Sequence, residues 1–435
     1  MKPLSYLVAL SLGCVHLVAL AETPPVQQAQ QAQQAQQAQQ AQQTEGGALT
    51  ILPPEPVVRR VLESLPQFRL GAFNMDLASA EKDKLVAGSH EWTLRTGLNQ
   101  RSITGGERYN EQDLALERPV RWFGKADKDR AVGDKGVEVA QAMQADGWHE
   151  AGRTLMKDWF DALRELSAVA RLREQLAVTQ QLRVVADRRV KAGDGAGLDA
   201  LQAATEHLRV AALLRQAEQR RDQALAFLDI TYAGLPRPSV ANLPLPQAEP
   251  ESPDSWLAKI LHDNHELELA QAEADLYALR ASRLASDRMP DPTIAVRAAR
   301  ERAGQERVIG ISLSIPIPGA GRAADGTGAA LKARMALERL AQVRIRVQSA
   351  AQRALIDSSR TYQIWDTLRD VGKQSVEQAD LMLRAYQAGE TTLTEALGAR
   401  RRALEASLAM QAAQVDALAA YARLRLDAHV IWSID

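Results

Sequence analysis

The sequence predicts a mainly α-helical fold with a small β part, built from two tandem copies of a long helical hairpin. Three observations predict it: two long proline-free stretches, a glycine-bearing interruption in the middle of each, and short segments where apolar residues alternate with polar ones.

The first segment reads as an export leader, residues 1–21. Lys2 supplies a positive start, residues 4–20 an apolar stretch, and Ala19-Leu20-Ala21 a small-residue cleavage pattern. Cleavage after Ala21 would remove Cys14, the only cysteine, so the mature chain is expected to make no disulfide and do no thiolate chemistry. Lipidation of Cys14 is the competing reading, although Ser11-Leu12-Gly13 lacks the usual leucine three positions before the cysteine. Residues 22–51 form an expected linker, since the Gln-Gln-Ala repeats of residues 26–43 offer little to bury. No later run approaches the ~20 apolar residues of a membrane helix, so any crossing of a membrane must use strands. A net charge of -1, without basic clusters interleaved with aromatics, points away from nucleic acid.

Proline placement then organises the chain. None occurs between Pro119 and Pro236, nor after Pro318, leaving two stretches of roughly 116 residues around a proline-rich link at 234–252. Proline costs about 3 kcal/mol inside a helix, so its exclusion from these alanine-rich stretches permits very long helices. The first is interrupted at Lys191-Ala192-Gly193-Asp194-Gly195-Ala196-Gly197-Leu198-Asp199, the second at Gln387-Ala388-Gly389-Glu390-Thr391-Thr392-Leu393-Thr394-Glu395. Glycine stops one helix, and Thr or Asp starts the next. Each stretch is therefore a hairpin whose incoming arm, about 125–190 or 322–388, is on the order of 100 Å long.

The correspondence continues upstream: Leu62 with Leu261, Trp92-Thr93-Leu94 with Pro292-Thr293-Ile294, Arg118-Pro119 with Ile315-Pro316. A nearly constant shift of roughly 196–200 residues reads as an internal duplication, residues 52–233 and 253–435.

Between the short first helices and the long arms the period becomes 2. Trp92, Leu94, Thr96 and Leu98 alternate with Thr93, Arg95, Gly97 and Asn99; Ile294, Val296 and Ala298 with Ala295, Arg297 and Ala299; Ile309, Ile311, Leu313 and Ile315 with Gly310, Ser312 and Ser314. Residues 109–118 fit less well, only Leu114 and Leu116 keeping an apolar face. Gly105-Gly106 and Ala303-Gly304 mark the turns. A small soluble sheet and a membrane β-barrel both fit. Trp92, Tyr109, Trp122 and Phe123 at strand ends suit an interfacial girdle, and the membrane reading then forces oligomerisation, since four strands cannot close a barrel.

Residues 289–293 and 306–318, with Tyr386-Gln387-Ala388-Gly389-Glu390-Thr391-Thr392-Leu393, resemble the TolC-type outer-membrane factors, and most nearly their heavy-metal branch serving cobalt–zinc–cadmium exporters. The resemblance covers about residues 50–430. It implies a homotrimer in the outer membrane of a Gram-negative bacterium, with a large periplasmic portion. Helical hairpins would form a trimeric α-barrel, and four transmembrane β-strands per protomer a 12-stranded β-barrel in outer-membrane lipid. It also implies a passive exit duct for an inner-membrane pump, of the RND type, and a periplasmic adaptor (membrane-fusion protein). Gly193, Gly195, Leu198, Gly389, Thr391, Thr392 and Leu393 would then form the adaptor-contacting tips, and Tyr386, Asp199 and Glu395 a periplasmic gate. Thr391 stands where some members carry a gating arginine and Gly398 where some carry an acid, and the first tip is one residue longer. Type I protein secretion and drug efflux stay open, as do two rivals of another class, a periplasmic adaptor and a structural coiled coil.

Neither an enzyme nor a cofactor is expected. His262 and His265 form an H-x-x-H pair, but as surface or capping residues without a third ligand. Gly319-Ala320-Gly321 lacks the Gly-Lys-Ser/Thr of a phosphate loop. Helix charges such as Glu338, Arg339, Arg344 and Arg346 read as solvated faces or interhelical pairs.

Overall fold

The computed structural model describes residue 47 and residues 49–433; the leader with Cys14 and most of the 22–51 linker lie outside them. Among the described residues the main elements run α1 (Glu55–Ser64), α2 (Pro66–Ala87), β1 (Thr93–Ser102), β2 (Arg108–Pro119), α3 (Lys125–Lys191) and α4 (Gly197–Thr231). The order then repeats as α5 (Pro253–His262), α6 (His265–Ala285), β3 (Thr293–Glu301), β4 (Glu306–Ser314), α7 (Ala320–Ala388) and α8 (Leu393–Asp427). Corresponding elements begin roughly 195–200 residues apart.

The incoming arms α3 and α7 have 67 and 69 residues, each about 100 Å at 1.5 Å per residue. No proline breaks their ladders. Both returning arms have 35 residues, so the long arms extend well past their partners to reach the sheet. Among the described residues no helix is long and apolar enough to cross a membrane.

Among the described residues, Leu172, Val210, Leu214 and Leu404 form a layer that joins the two hairpins, and Trp365, Ala413 and Ala417 one that joins the two arms of the second. Arm α3 contacts α4 and α8, whereas α7 lies against α8, so the four long helices run in the lateral order α4, α3, α8, α7. The outer flanks of this row stay open. They expose Leu201, Leu208 and Ile230 on α4, and Met335, Ile345 and Ile364 on α7.

Strands pair antiparallel in the order β1-β2-β3-β4, and among the described residues one side of β1 and one side of β4 have no partner. Strand β2, the weakest in the sequence pattern, is paired on both sides along half of its length. Its ill-fitting residues are the carboxylates Glu111, Asp113 and Glu117, which Arg101, Arg297 and Arg95 on neighbouring strands balance.

A buried charge network joins sheet to helices. Lys125, in the first turn of α3 and only 1% exposed, holds Asp287 at 2.8 Å and Asp291 at 2.9 Å. Asp291 also accepts from the Trp122 backbone N–H and bonds His90, and Asp129 is paired with Arg121 and Arg283. The start of α3 is thereby tied to the segment leading into β3.

A second junction lies where both halves meet the C-terminal segment. His149 of α3 stacks on His429 with centroids 4.8 Å apart, and His265 of α6 meets the His429 ring edge-on at 4.7 Å. His429 adopts a left-handed φ of 58° just past α8, where its N–H and that of Val430 bond back to Leu426 and Arg425. Asp427 is buried beside His149 Nε2 (3.4 Å), with Arg153 at 2.8 Å and Arg423 at 2.8 Å. Arg425, buried and paired with Glu249 at 2.8 Å, fastens the proline-rich link to α8. His262 stays exposed beside Asp263, so the H-x-x-H pair is divided between a solvated and a stacked histidine. Arg346 pairs with Glu266, an interhelical bridge from α7 to α6.

Both junctions can be tested through stability. Lys125→Ala leaves Asp287 and Asp291 without their ammonium and is expected to destabilise the fold by about 3–5 kcal/mol; denaturant unfolding measures it, and a loss under ~1 kcal/mol would contradict the role given to this residue. Burial, followed by the charges of Arg153 and His265, lowers the His149 pKa despite the pull of Asp427. The unfolded chain therefore binds a proton near pH ~6.5 that the folded chain resists, and stability declines as pH falls through that value. Burial pushes the Asp427 carboxyl up, but His149, Arg153 and Arg423 outweigh it and hold it well below the usual range, so its stability is lost only in stronger acid. Thermal unfolding between about pH 8 and 5.5 is expected to be flatter in His149→Gln than in the wild-type chain; parallel curves would refute this assignment.

Candidate functional site

Two places carry chemistry beyond packing: the hairpin tips and the faces of the sheet. Both tips stop their incoming arm in the same way. Gly193 and Gly389 take left-handed φ values of 78° and 79°, a conformation glycine adopts without steric cost. Gly193 N–H bonds Val190 O and Asp194 N–H bonds Arg189 O, and Gly389 and Glu390 repeat the pattern onto Tyr386 and Ala385.

Beyond that point the tips differ. Residues 192–196 separate α3 from α4, while only 389–392 separate α7 from α8, so the first tip is one residue longer. Thr392 caps α8: its Oγ1 accepts from Glu395 N–H at 3.2 Å, and its own N–H donates to the Glu395 carboxylate at 3.1 Å. The Thr391 hydroxyl donates to the same carboxylate and, with Thr392, lowers the Glu395 pKa. Ala196 gives α4 no side-chain cap.

The extra residue also separates two equivalent leucines. Leu393 is 1% exposed and packs with Leu182, Ala186 and Leu397, whereas Leu198 is 62% exposed. Leu393 is thus withdrawn from the tip surface expected of it. Gly193, Gly389 and Thr392 stay exposed, Gly195 and Thr391 half-buried.

The residues expected to form a gate are not joined to one another among the described residues. Tyr386 is buried among Leu182, Ala186, Ala203 and Leu393, with the Arg189 guanidinium 5.3 Å from its ring centroid. Asp199 sits half-buried in the first turn of α4, its N–H bonded to Ala196 O. Among the described residues no hydrogen bond links the two, and Glu395 is occupied as a cap. The tyrosine works here as core because the tip folds the two returning arms over its ring. One tip-to-tip bond was hidden in the sequence: Thr394 Oγ1 donates to Gln202 at 2.9 Å. Both are ordinary helix-surface polar residues, and only the fold brings them together.

The sheet sorts its side chains by face. Register places Leu94, Leu98, Leu114, Leu116, Ile294, Val296, Ile309, Ile311 and Leu313 on one face, all exposed. The opposite face carries Arg95–Glu117 (2.8 Å), Arg101–Glu111 (2.8 Å) and Arg101–Glu301 (3.2 Å), with Asn99 donating to Asp113. Gly97 makes room for Asp113, whose carboxylate oxygen would lie 2.4 Å from a β-carbon there. Trp92 and Phe123 lie exposed at the helix-side end of the sheet. Tyr109 does not join them: it alternates with Glu111 and Asp113 onto the charged face and donates to Glu107 at 2.9 Å. Trp122 is half-buried. Position at a strand end does not decide the face; parity does.

No family model matches the sequence, and no curated protein matches it. Solved structures do match the fold. The CmeC outer membrane channel of Campylobacter jejuni aligns with a TM-score of 0.71 at 13% identity, covering 89% of this chain and 88% of that one. The MtrE outer membrane channel of Neisseria gonorrhoeae, in its open state, gives 0.65 at 16% identity over 86% and 88%. The outer membrane protein VceC of Vibrio cholerae gives 0.63 at 14% identity over 86% and 95%. This chain therefore has the fold of these channels: long paired helical hairpins with a small antiparallel sheet.

Tyr386→Ala is expected to cost on the order of 3 kcal/mol locally, read as faster amide hydrogen exchange at residues 385–397. Tyr386→Phe should leave exchange unchanged, since the ring carries the packing. Equal effects of the two substitutions would overturn this reading of the residue.

Proposed function

We propose that copies of this chain close into an outer-membrane channel subunit assembly, a passive exit duct of a tripartite export system. One observation carries the reading: the sheet presents an uncharged apolar band on one face and ion-paired polar residues on the other, while among the described residues both of its edges lack partners. Apolar-out, polar-in alternation suits a lipid-facing barrel around water. Unpaired edges cost several kcal/mol per polar group in hydrocarbon, so the sheet must close on further copies. The helices support the same closure, because the unpaired β4 leads into the open α7 flank and the unpaired β1 belongs to the half whose α4 flank is open.

Three copies would give 12 strands, the number that the family resemblance implies, with the two repeats (52–233 and 253–435) making six hairpins. The long arms then line a water-filled path across the periplasm, and the tips meet an adaptor serving an inner-membrane pump. Exposed Leu198 makes the first tip the more apolar contact surface. Heavy-metal cations are the proposed cargo, on the likeness of residues 289–318 to that branch. No bond chemistry is assigned to the chain, since the energy for transport comes from the pump.

Membrane fractionation followed by native-mass measurement in detergent tests the proposal. The expected result is an outer-membrane trimer; a soluble periplasmic monomer would sink it.

A further inference from the structure

The sheet also segregates its arginines. Arg95, Arg101 and Arg297 alternate onto the charged face, where each has a carboxylate within 4.0 Å. Arg108, Arg118, Arg300 and Arg307 alternate onto the apolar face. That face carries no Asp or Glu on any of the four strands, since Glu111, Asp113, Glu117, Glu301 and Glu306 all fall on the other.

Arg118, at the helix-side end, is occupied by the His90 carbonyl and the Trp92 ring. The turn-side arginines are not. Arg300 and Arg307 are direct cross-strand partners, both exposed, and among the described residues neither has an ion pair or side-chain hydrogen bond. Like charges placed opposite each other on neighbouring strands repel, so an anion between them is favoured. Gln112, facing Arg300 from β2, and Arg108 further toward the turn add donors. The next same-face pair toward the helices is Ala298 and Ile309, about 7 Å away along the strands, where the apolar band begins.

We propose that Arg300 and Arg307 form a binding site for the phosphate headgroup of an outer-leaflet lipid, whose acyl chains lie along Ile309 and Ile311. The inference rests on the membrane reading above and adds a ligand to it. A free phosphate would use the guanidiniums but leave the adjoining apolar band uncovered. A lipid phosphate uses both, through charge-assisted bonds that arginine forms in bidentate geometry. Arg297, on the same strand β3, is excluded by parity: it faces Asp113 instead.

The test uses the assembled full chain. Wild-type protein is first floated with neutral phosphatidylcholine vesicles, then incubated in detergent with diphosphorylated lipid A, its dephosphorylated form or inorganic phosphate, and retained lipid is read by native mass spectrometry. The expected result is retention of the phosphorylated lipid alone, reduced roughly tenfold in an Arg300→Gln/Arg307→Gln double variant. The Arg300→Lys/Arg307→Lys variant, which keeps the charge, is expected to retain an intermediate amount. Equal retention by wild type and the Gln variant overturns the site, as does equal retention of the dephosphorylated lipid or full displacement by inorganic phosphate at matched concentration. Failure of the wild-type protein to float overturns the membrane reading itself, and the inference with it, and so is distinguishable from failure of the site alone.

Discussion

A single buried ammonium, Lys125, governs how the two materials of this fold are joined. Strands twist and helices run straight, and the chain passes from one to the other twice. At the first passage Lys125 gathers Asp287 and Asp291 from the other half of the chain, so the start of α3 and the entry to β3 share one charge network. Burying it requires compensation, which the two carboxylates supply, while the Trp122 N–H and His90 bond Asp291 in turn. The second passage, at Gly319-Ala320-Gly321, has no equivalent lysine and is exposed. The two halves are thus alike in order but unequal in anchoring: the first is fixed within the chain, the second left on the open flank.

The same economy governs the sheet. A strand has only two faces, and parity distributes charge without exception here: carboxylates on one, and on the other an apolar band bounded by arginines. Central β2 tolerates three acidic residues because arginines on β1 and β3 reach them diagonally across the same face. Among the described residues no strand completes the hydrogen bonding of the outer sides of β1 and β4.

At the far end, two tips built on the same helix stop diverge through one residue. The shorter tip closes with a threonine–glutamate cap and pulls Leu393 into the core, whereas the longer one leaves α4 without a side-chain cap and Leu198 outside. Leu198 is the second residue of its helix and Leu393 the first of its own, and one helical position is worth about 100° around the axis, enough to exchange a buried face for an exposed one. Corresponding letters in the two halves therefore do unequal work, and motif matching alone assigned both leucines to the surface.

Local rules made much of this legible from the chain itself. Proline exclusion set where the long helices run, glycine set where they stop, and the change of period marked the strands and their turns; each depends on residues near one another in sequence. The apolar face of the sheet was readable for the same reason. Long-range geometry decided the rest. The sequence suggested a Tyr386–Asp199 gate contact, and among the described residues no hydrogen bond joins the two; it read His262 and His265 alike as surface or capping residues. Folding placed the tyrosine in a core and set His265 against His149 and His429, residues over a hundred positions apart. Strand register alone showed that Arg300 and Arg307 face each other while Arg297 faces Asp113. Periodicity assigns a residue to a face, but only pairing across strands and helices decides what stands opposite it, because those contacts are fixed by the closure of distant segments and leave no mark on the neighbouring letters.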